Sequence, residues 1–165
     1  MNTDDYYPSY LDTRRQAGAD GAMQCRGQNF PVGPASVSIH GGRCRLVAEN
    51  DGKEGVWRAI VADGQIVGSI SVERMADENR AAGSIGYMIL TPFWSQGIGT
   101  EAVRQICGIA FQEFALERII GEVFPEYLAS ARVLEKNGFR LEETKAGAIV
   151  KGGKVMDVRV YVLSC

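Results

Sequence analysis

The chain has 165 residues, 45% of them apolar and 23% charged, with a formal net charge of −2 at pH 7. That length holds one domain with a real core and excludes two large ones. The slightly negative balance argues against a general nucleic-acid or acidic-membrane surface, and no apolar run approaches membrane-spanning length.

The first residues, MNTDDYYPSY, are acidic and polar and lack the pattern of a secretory signal. Cys25, Cys44, Cys107 and Cys165 are scattered and form no zinc-like pairs, and His40 has no second imidazole to share a metal. No metal site is expected, and a reducing cytoplasm is the expected compartment. Residues 1–55 carry little periodic signal. Tyr10 to Ala19 has a weak helical stripe, and Arg43 to Glu49 has the composition of a short strand. This stretch is expected to be a poorly defined N-terminal segment ahead of a core over 56–165.

From Val56 the pattern sharpens. Trp57 to Ala62 is strand-like, Asp63-Gly64 is a hairpin turn, and Gln65 to Glu73 is the return strand. A polar loop over Arg74 to Arg80 follows, and then a strand over Ala81 to Ile89. From Gly99 the period becomes helical: Val103, Ile106, Cys107, Ala110, Phe111 and Phe114 share one face. Glu101, Arg104, Gln105, Gln112 and Glu113 fill the other. Arg118 to Phe124 is a strand, and Leu128 to Asn137 is a helix stopped at Asn137-Gly138. Phe139 to Val150 and Lys154 to Leu163 form a long hairpin around Gly152-Gly153.

The junction Gln96-Gly97-Ile98-Gly99-Thr100 stands between strand and helix. Two of its positions lack side chains, so a ligand can approach the backbone. A helix start has unpartnered N–H groups and a partial positive charge, which suits phosphate. Three readings are open: a dinucleotide fingerprint, an acetyl-coenzyme A site, or an ordinary strand-to-helix turn. Gly97-x-Gly99-x-x-Ala102 fits the first, with Glu122 placed 20 residues past Ala102 as a ribose-binding acid. The element order weighs against it. Three strands come in succession before the helix and a hairpin closes the chain, which is an α+β pattern with a largely antiparallel sheet.

Three segments carry a family resemblance: IGYMILTPFWSQGIGTEAV, ASARVLEKNGF and IVKGGKVMDVRVYVL. Val56 to Leu163, about two-thirds of the chain, resembles a GNAT-superfamily N-acetyltransferase, of the branch containing the ribosomal-protein N-terminal alanine or serine acetyltransferases. The family turn is Arg/Gln-x-x-Gly-x-Gly/Ala. Gly97 and Gly99 match its small positions, Trp94 stands at the Arg/Gln position, and Ser95 replaces the usual glycine. The family's Asn-x-x-Ser helix start is matched by Ser130, whereas Tyr127 replaces the asparagine. The resemblance implies a mixed, mostly antiparallel twisted sheet flanked by helices, with an atypical N-terminal third. It also implies acetyl-CoA as co-substrate, with its pyrophosphate on the N–H groups of Gln96, Gly97, Ile98, Gly99 and Thr100, and with Tyr127 and Ser130 beside it.

The implied reaction is direct attack of a primary amine on the thioester. The strand Ser84 to Leu90 is expected to splay from the strand after the helix, so that an N–H near Ile89 or Leu90 stabilises the oxyanion. Glu122 is implied as the base that deprotonates the amine, with Glu73 and Glu126 as weaker candidates. Ser130 is implied as the donor to the departing thiolate. The plain alternatives are a solvated strand glutamate and a helix-start hydrogen bond. Gly138 is expected as a helix cap and Phe139 as core; Tyr161, Phe93 and Trp94 fit either core packing or a pocket wall. The acceptor is expected to be a protein N-terminus or a small amine, with no nucleic acid or membrane partner; a homodimer is allowed. A non-catalytic acyl-CoA-binding domain is the second hypothesis, and a dinucleotide oxidoreductase is the third.

Overall fold

A computed structural model describes residues 23–25, 28–30, 37–39, 42–52, 55–75 and 81–165 of the chain. The expected helix over Tyr10 to Ala19, His40 and most of the 74–80 loop lie outside the described residues. Two short strands, β1 (Met23–Cys25) and β2 (Gln28–Phe30), pair with each other. The remaining strands form one sheet: β3 (Val37–Ile39), β4 (Gly42–Gly52), β5 (Gly55–Ala62), β6 (Gln65–Arg74), β7 (Ala82–Ile89), β8 (Arg118–Val123), β9 (Arg140–Lys151) and β10 (Lys154–Ser164). Their order is β3-β4-β5-β6-β7-β8-β10-β9. Among the described hydrogen-bonded neighbours only β7 and β8 run parallel, joined by a crossover helix, α1 (Ile98–Phe114). A second helix, α2 (Leu128–Lys136), connects β8 to β9. The α+β expectation holds, and β4 contains the strand expected over Arg43 to Glu49.

The local chemistry explains the turns. Asp63 and Gly64 both take positive φ, as do Gly152 and Gly153, so both hairpins close in the left-handed turn that matches strand twist. At the end of α2, the N–H of Gly138 donates to Glu135 O (3.0 Å) and that of Phe139 to Leu134 O (3.2 Å), a Schellman stop.

One face of the sheet carries the core. Val56, Ile60, Ile70, Val72 and Ile85 meet Val103, Ile106, Cys107, Ala110 and Phe111 of α1, and Ala131, Leu134 and Phe139 extend the core under α2. Each fully buried aliphatic or aromatic side chain there contributes about 1.5–3 kcal/mol. The polar side of α1 is not all exposed. Glu101 and Gln105 are buried, because α1 also packs against β4, which the pattern of residues 1–55 did not announce. Glu101 is paired there: Arg104 Nη2 and Nε reach its two oxygens at 2.6 and 2.9 Å, and Gln105 Nε2 donates to Oε1 at 2.8 Å.

Cys44 and Cys107 are free thiols, and Cys165 is disulfide-bonded, which a reducing compartment does not call for. Burial, reinforced by the negative charge of Glu101, pushes Cys44 from 9.0 up to about 11. A group raised on folding stabilises the protein fully below its unfolded value and loses that contribution as pH climbs to the folded value. Stability should therefore fall by on the order of 2 kcal/mol between pH 9 and 11 from this thiol. Denaturant midpoints across that window should fall less steeply in Cys44→Val. Cys107, also pushed up by burial, keeps part of the slope.

Candidate active site

The site forms where β7 leaves β8. The two strands pair at Ala82↔Arg118, Gly83↔Ile119 and Ser84↔Ile120, and no further. β7 continues to Ile89 and β8 to Val123, so an opening lies between them past Ser84, as the splay expected from the sequence requires. β6 stays paired along the whole of β7.

The ladder phase decides which backbone groups face the opening. Leu90 N–H donates to Val67 O at 2.8 Å, so its hydrogen-bonding edge points into the sheet. Ile89, opposite Gly68, is then a non-hydrogen-bonded position whose N–H and C=O point away from β6. The Ile89 carbonyl is taken by the Trp94 indole Nε1–H at 2.7 Å. Of the two candidate donors, Leu90 is therefore already engaged and Ile89 alone turns its N–H to the gap. That phase is unbroken along β6–β7, from Gly68↔Ile89 to Arg74↔Gly83; a bulge at Val67 lies on the other edge of β6, against β5.

The glycine junction follows directly. After a 3-10 turn over Thr91–Phe93, Ser95 (φ 61°) and Gly97 (φ 78°) are left-handed, separated by Gln96. Alternating backbone hand of this kind makes an anion-binding concavity. Gly97 is the N-cap residue of α1 and offers no side-chain cap. The first helical bond is Glu101 N–H to Gly97 O at 3.1 Å. Among the described residues, the N–H groups of Gln96, Gly97, Ile98, Gly99 and Thr100 have no acceptor in the chain. Gly99 also lets the helix start approach β7 and α2: a Cβ there would lie 3.0 Å from Ile89 Cδ1 and 3.5 Å from Val133 Cγ2. Asn137 holds the turn from the other side, donating to Thr100 O (3.0 Å) and Val133 O (2.9 Å). The one acid of the first turn, Glu101, is tied up by Arg104 and Gln105. The residues present thus fit a pyrophosphate.

The remaining expected residues are placed as follows. Ser130, in the first turn of α2, makes no capping bond; its Oγ lies 2.9 Å from Tyr87 Oη, which also donates to Ser130 O at 3.0 Å. Tyr127, just before α2, is exposed and packs edge-on against Phe124 at 5.8 Å. Glu122 lies on the end of β8 that β7 has left, opposite Val160 of β10 on its other edge. A Cβ on the preceding Gly121 would meet Leu134 of α2 and Ile85, so Glu122 faces the opposite side of the sheet. There Lys145 Nζ reaches Glu122 Oε1 at 3.2 Å, with both side chains about half exposed. Glu73 pairs with Ser84, at the closed end away from the opening. Glu126 is exposed between β8 and α2. Trp94 is 60% exposed beside the junction, and Tyr161 is buried and donates to Glu135 Oε1 at 3.2 Å. Tyr87, Asn137 and the Trp94 N–H were not singled out from sequence. Tyr87 and Asn137 reach partners on other elements, Ser130 and Thr100, whereas the bonds from Trp94 to Ile89 and from Asn137 to Val133 are local.

A splayed pair of parallel strands beside an anion-binding helix start is the architecture of acyl-CoA-dependent acyltransferases. The family model for the acetyltransferase (GNAT) domain matches residues 17–140, and the chain belongs to that family. Among curated relatives, it is 37% identical over 100 residues to the putative ribosomal N-acetyltransferase YdaF of Bacillus subtilis (59% of this chain, 54% of that protein). It is 36% identical over 98 residues to the probable N-acetyltransferase YjcK of the same organism (59% and 53%). The chain spans about half the length of these relatives. Among solved structures, Mycobacterium smegmatis RimJ in complex with CoA-disulfide superposes with a TM-score of 0.63 at 25% identity, over 68% of this chain and 54% of that one. No helix among the described residues is long and apolar enough to cross a membrane, and no group of described residues has the makings of a metal site.

Proposed function

We propose that the protein transfers acetyl from acetyl-CoA to a primary amine, with a protein N-terminus as the first choice of acceptor. The observation that carries this reading is the opening between β7 and β8, which ends at a helix start with unpartnered N–H groups. Bound there, acetyl-CoA would supply the activated acetyl group. The N–H groups of Gln96 to Thr100 hold the pyrophosphate, and Ile89 N–H donates to the acetyl carbonyl oxygen, where charge develops. Ser130 and Tyr127 lie on the α2 side of the opening, with Ser130 donating to the departing sulfur. Glu122, on the far face, takes the proton of the incoming amine directly or through water. The two faces then divide the work between cofactor and acceptor. The name of the ribosomal relative supports the choice of a protein N-terminus over a small amine. A cytoplasmic setting goes with this reading, while the bonded Cys165 is a feature of oxidising compartments.

The test is coenzyme A release in the presence of peptides with free N-terminal alanine or serine, and of a panel of small amines. Turnover with a peptide is expected. Binding of acetyl-CoA without turnover on any acceptor would replace this reading with that of a non-catalytic acyl-CoA-binding domain. Glu122→Gln should lower kcat on the order of a hundredfold. Its ion pair is exposed and worth about 0–1 kcal/mol, so melting should barely move. Unchanged kcat would return Glu122 to the role of a surface ion-pair partner.

A further inference from the structure

Tyr87 is the side chain of the opening left without a task. It stands midway along the part of β7 that has left β8, between Ile85 and Ile89 on the helix-facing side. Its hydroxyl crosses to α2, where one residue offers two partners: Ser130 O at 3.0 Å and Ser130 Oγ at 2.9 Å. A phenol has one proton, and a carbonyl oxygen only accepts. With that proton on the carbonyl, Tyr87 Oη accepts from the serine hydroxyl, whose proton is turned inward. With that proton on Oγ, the serine proton is free to point elsewhere. The two arrangements differ by rotation of two hydroxyls, with no heavy-atom movement and no proton changing its owner. Burial raises the Tyr87 phenol above its usual range, an effect the Ser130 contact only partly offsets, so it stays a protonated donor.

We infer that Tyr87 is a positioning residue, which gives Ser130 Oγ a replacement donor so that the serine proton can turn towards a departing thiolate. This rests on the reading of Ser130 given above. A serine hydroxyl is too weak an acid to act by acidity, so its use depends on where its proton points. Left alone, it would turn to nearby backbone carbonyls of its own helix. A strut between β7 and α2 would need only the bond to the carbonyl; the contact to Oγ is additional.

The test compares coenzyme A with acetyl-CoA in calorimetric titrations across the range where the coenzyme A thiol ionises. The thioester cannot ionise, so the ratio of the two affinities isolates the thiolate. In the unmodified protein, coenzyme A should gain about tenfold relative to acetyl-CoA, the worth of one charge-assisted hydrogen bond. Tyr87→Phe should lose most of this gain, Ser130→Ala all of it, and the double variant no more than Ser130→Ala. A gain kept in Tyr87→Phe but lost in Ser130→Ala would overturn the role of Tyr87 and leave that of Ser130 standing. A gain kept in Ser130→Ala, or absent from the unmodified protein, would overturn both. Should Tyr87→Phe misfold, 3-fluorotyrosine protein keeps the test: its stronger phenol donor should enlarge the gain, and an unchanged gain would overturn the inference.

Discussion

Gly99→Glu should abolish acetyl-CoA binding in a protein that still melts cooperatively. Two effects act together at that position. The new Cβ lies 3.0 Å from Ile89 Cδ1, which is the end of a flexible side chain and can shift by a few tenths of an ångström. The steric cost on folding is therefore modest. The carboxylate matters more, because it brings a negative charge to the N–H groups that would hold the pyrophosphate. An acid at a helix start stabilises the helix by about 0.3–1 kcal/mol, so the variant should keep its fold while it occupies its own anion site. Calorimetric titration should show Kd weakened at least on the order of a hundredfold, about 2.7 kcal/mol. Gly99→Ala, with the same Cβ and no charge, should bind within about tenfold of the unmodified chain. Equal losses in both variants would mean that packing, not charge, governs the junction.

Gly68→Val should have the largest effect on stability. A Cβ at Gly68 would run into the Met88 carbonyl oxygen and lie 3.1 Å from Ile89 Cα. Both are backbone atoms of β7, so no side-chain rotation relieves the clash, and the β6–β7 ladder must open. A cost of about 3 kcal/mol or more is expected, at the upper end for overpacking. Gly86→Ala is the control, since a Cβ there would meet only Ser71 Oγ at 3.9 Å. Denaturant midpoints should separate the two clearly. Because Gly68 sits opposite Ile89, a folded remnant of Gly68→Val should also lose acetyl-CoA binding.

The junction and the strand order around it were legible because their signals are local. Gly97 and Gly99 announce the turn, Asn137-Gly138 the helix stop, and the paired glycines of the last hairpin its register. Other features depend on pairings that no local pattern encodes. Glu101 and Gln105 look like solvent-facing residues by helical period. They are buried because β4, from a stretch with little periodicity, covers that side of α1. The choice between Ile89 and Leu90 hangs on the phase of the ladder with β6, which the pairing of the two strands sets. Tyr87 and Ser130 are 43 residues apart, and Lys145 and Glu122 are 23 apart. Both pairs are made by folding and left no spacing to recognise.

The central claim is that the helix start at Gly97 receives a coenzyme A pyrophosphate. Titration of the unmodified chain with acetyl-CoA, and separately with NADH, tests it most directly. Saturable one-to-one binding of acetyl-CoA, competed by coenzyme A and not by NADH, is the predicted result. Binding of NADH alone, or no binding of acetyl-CoA, would contradict it.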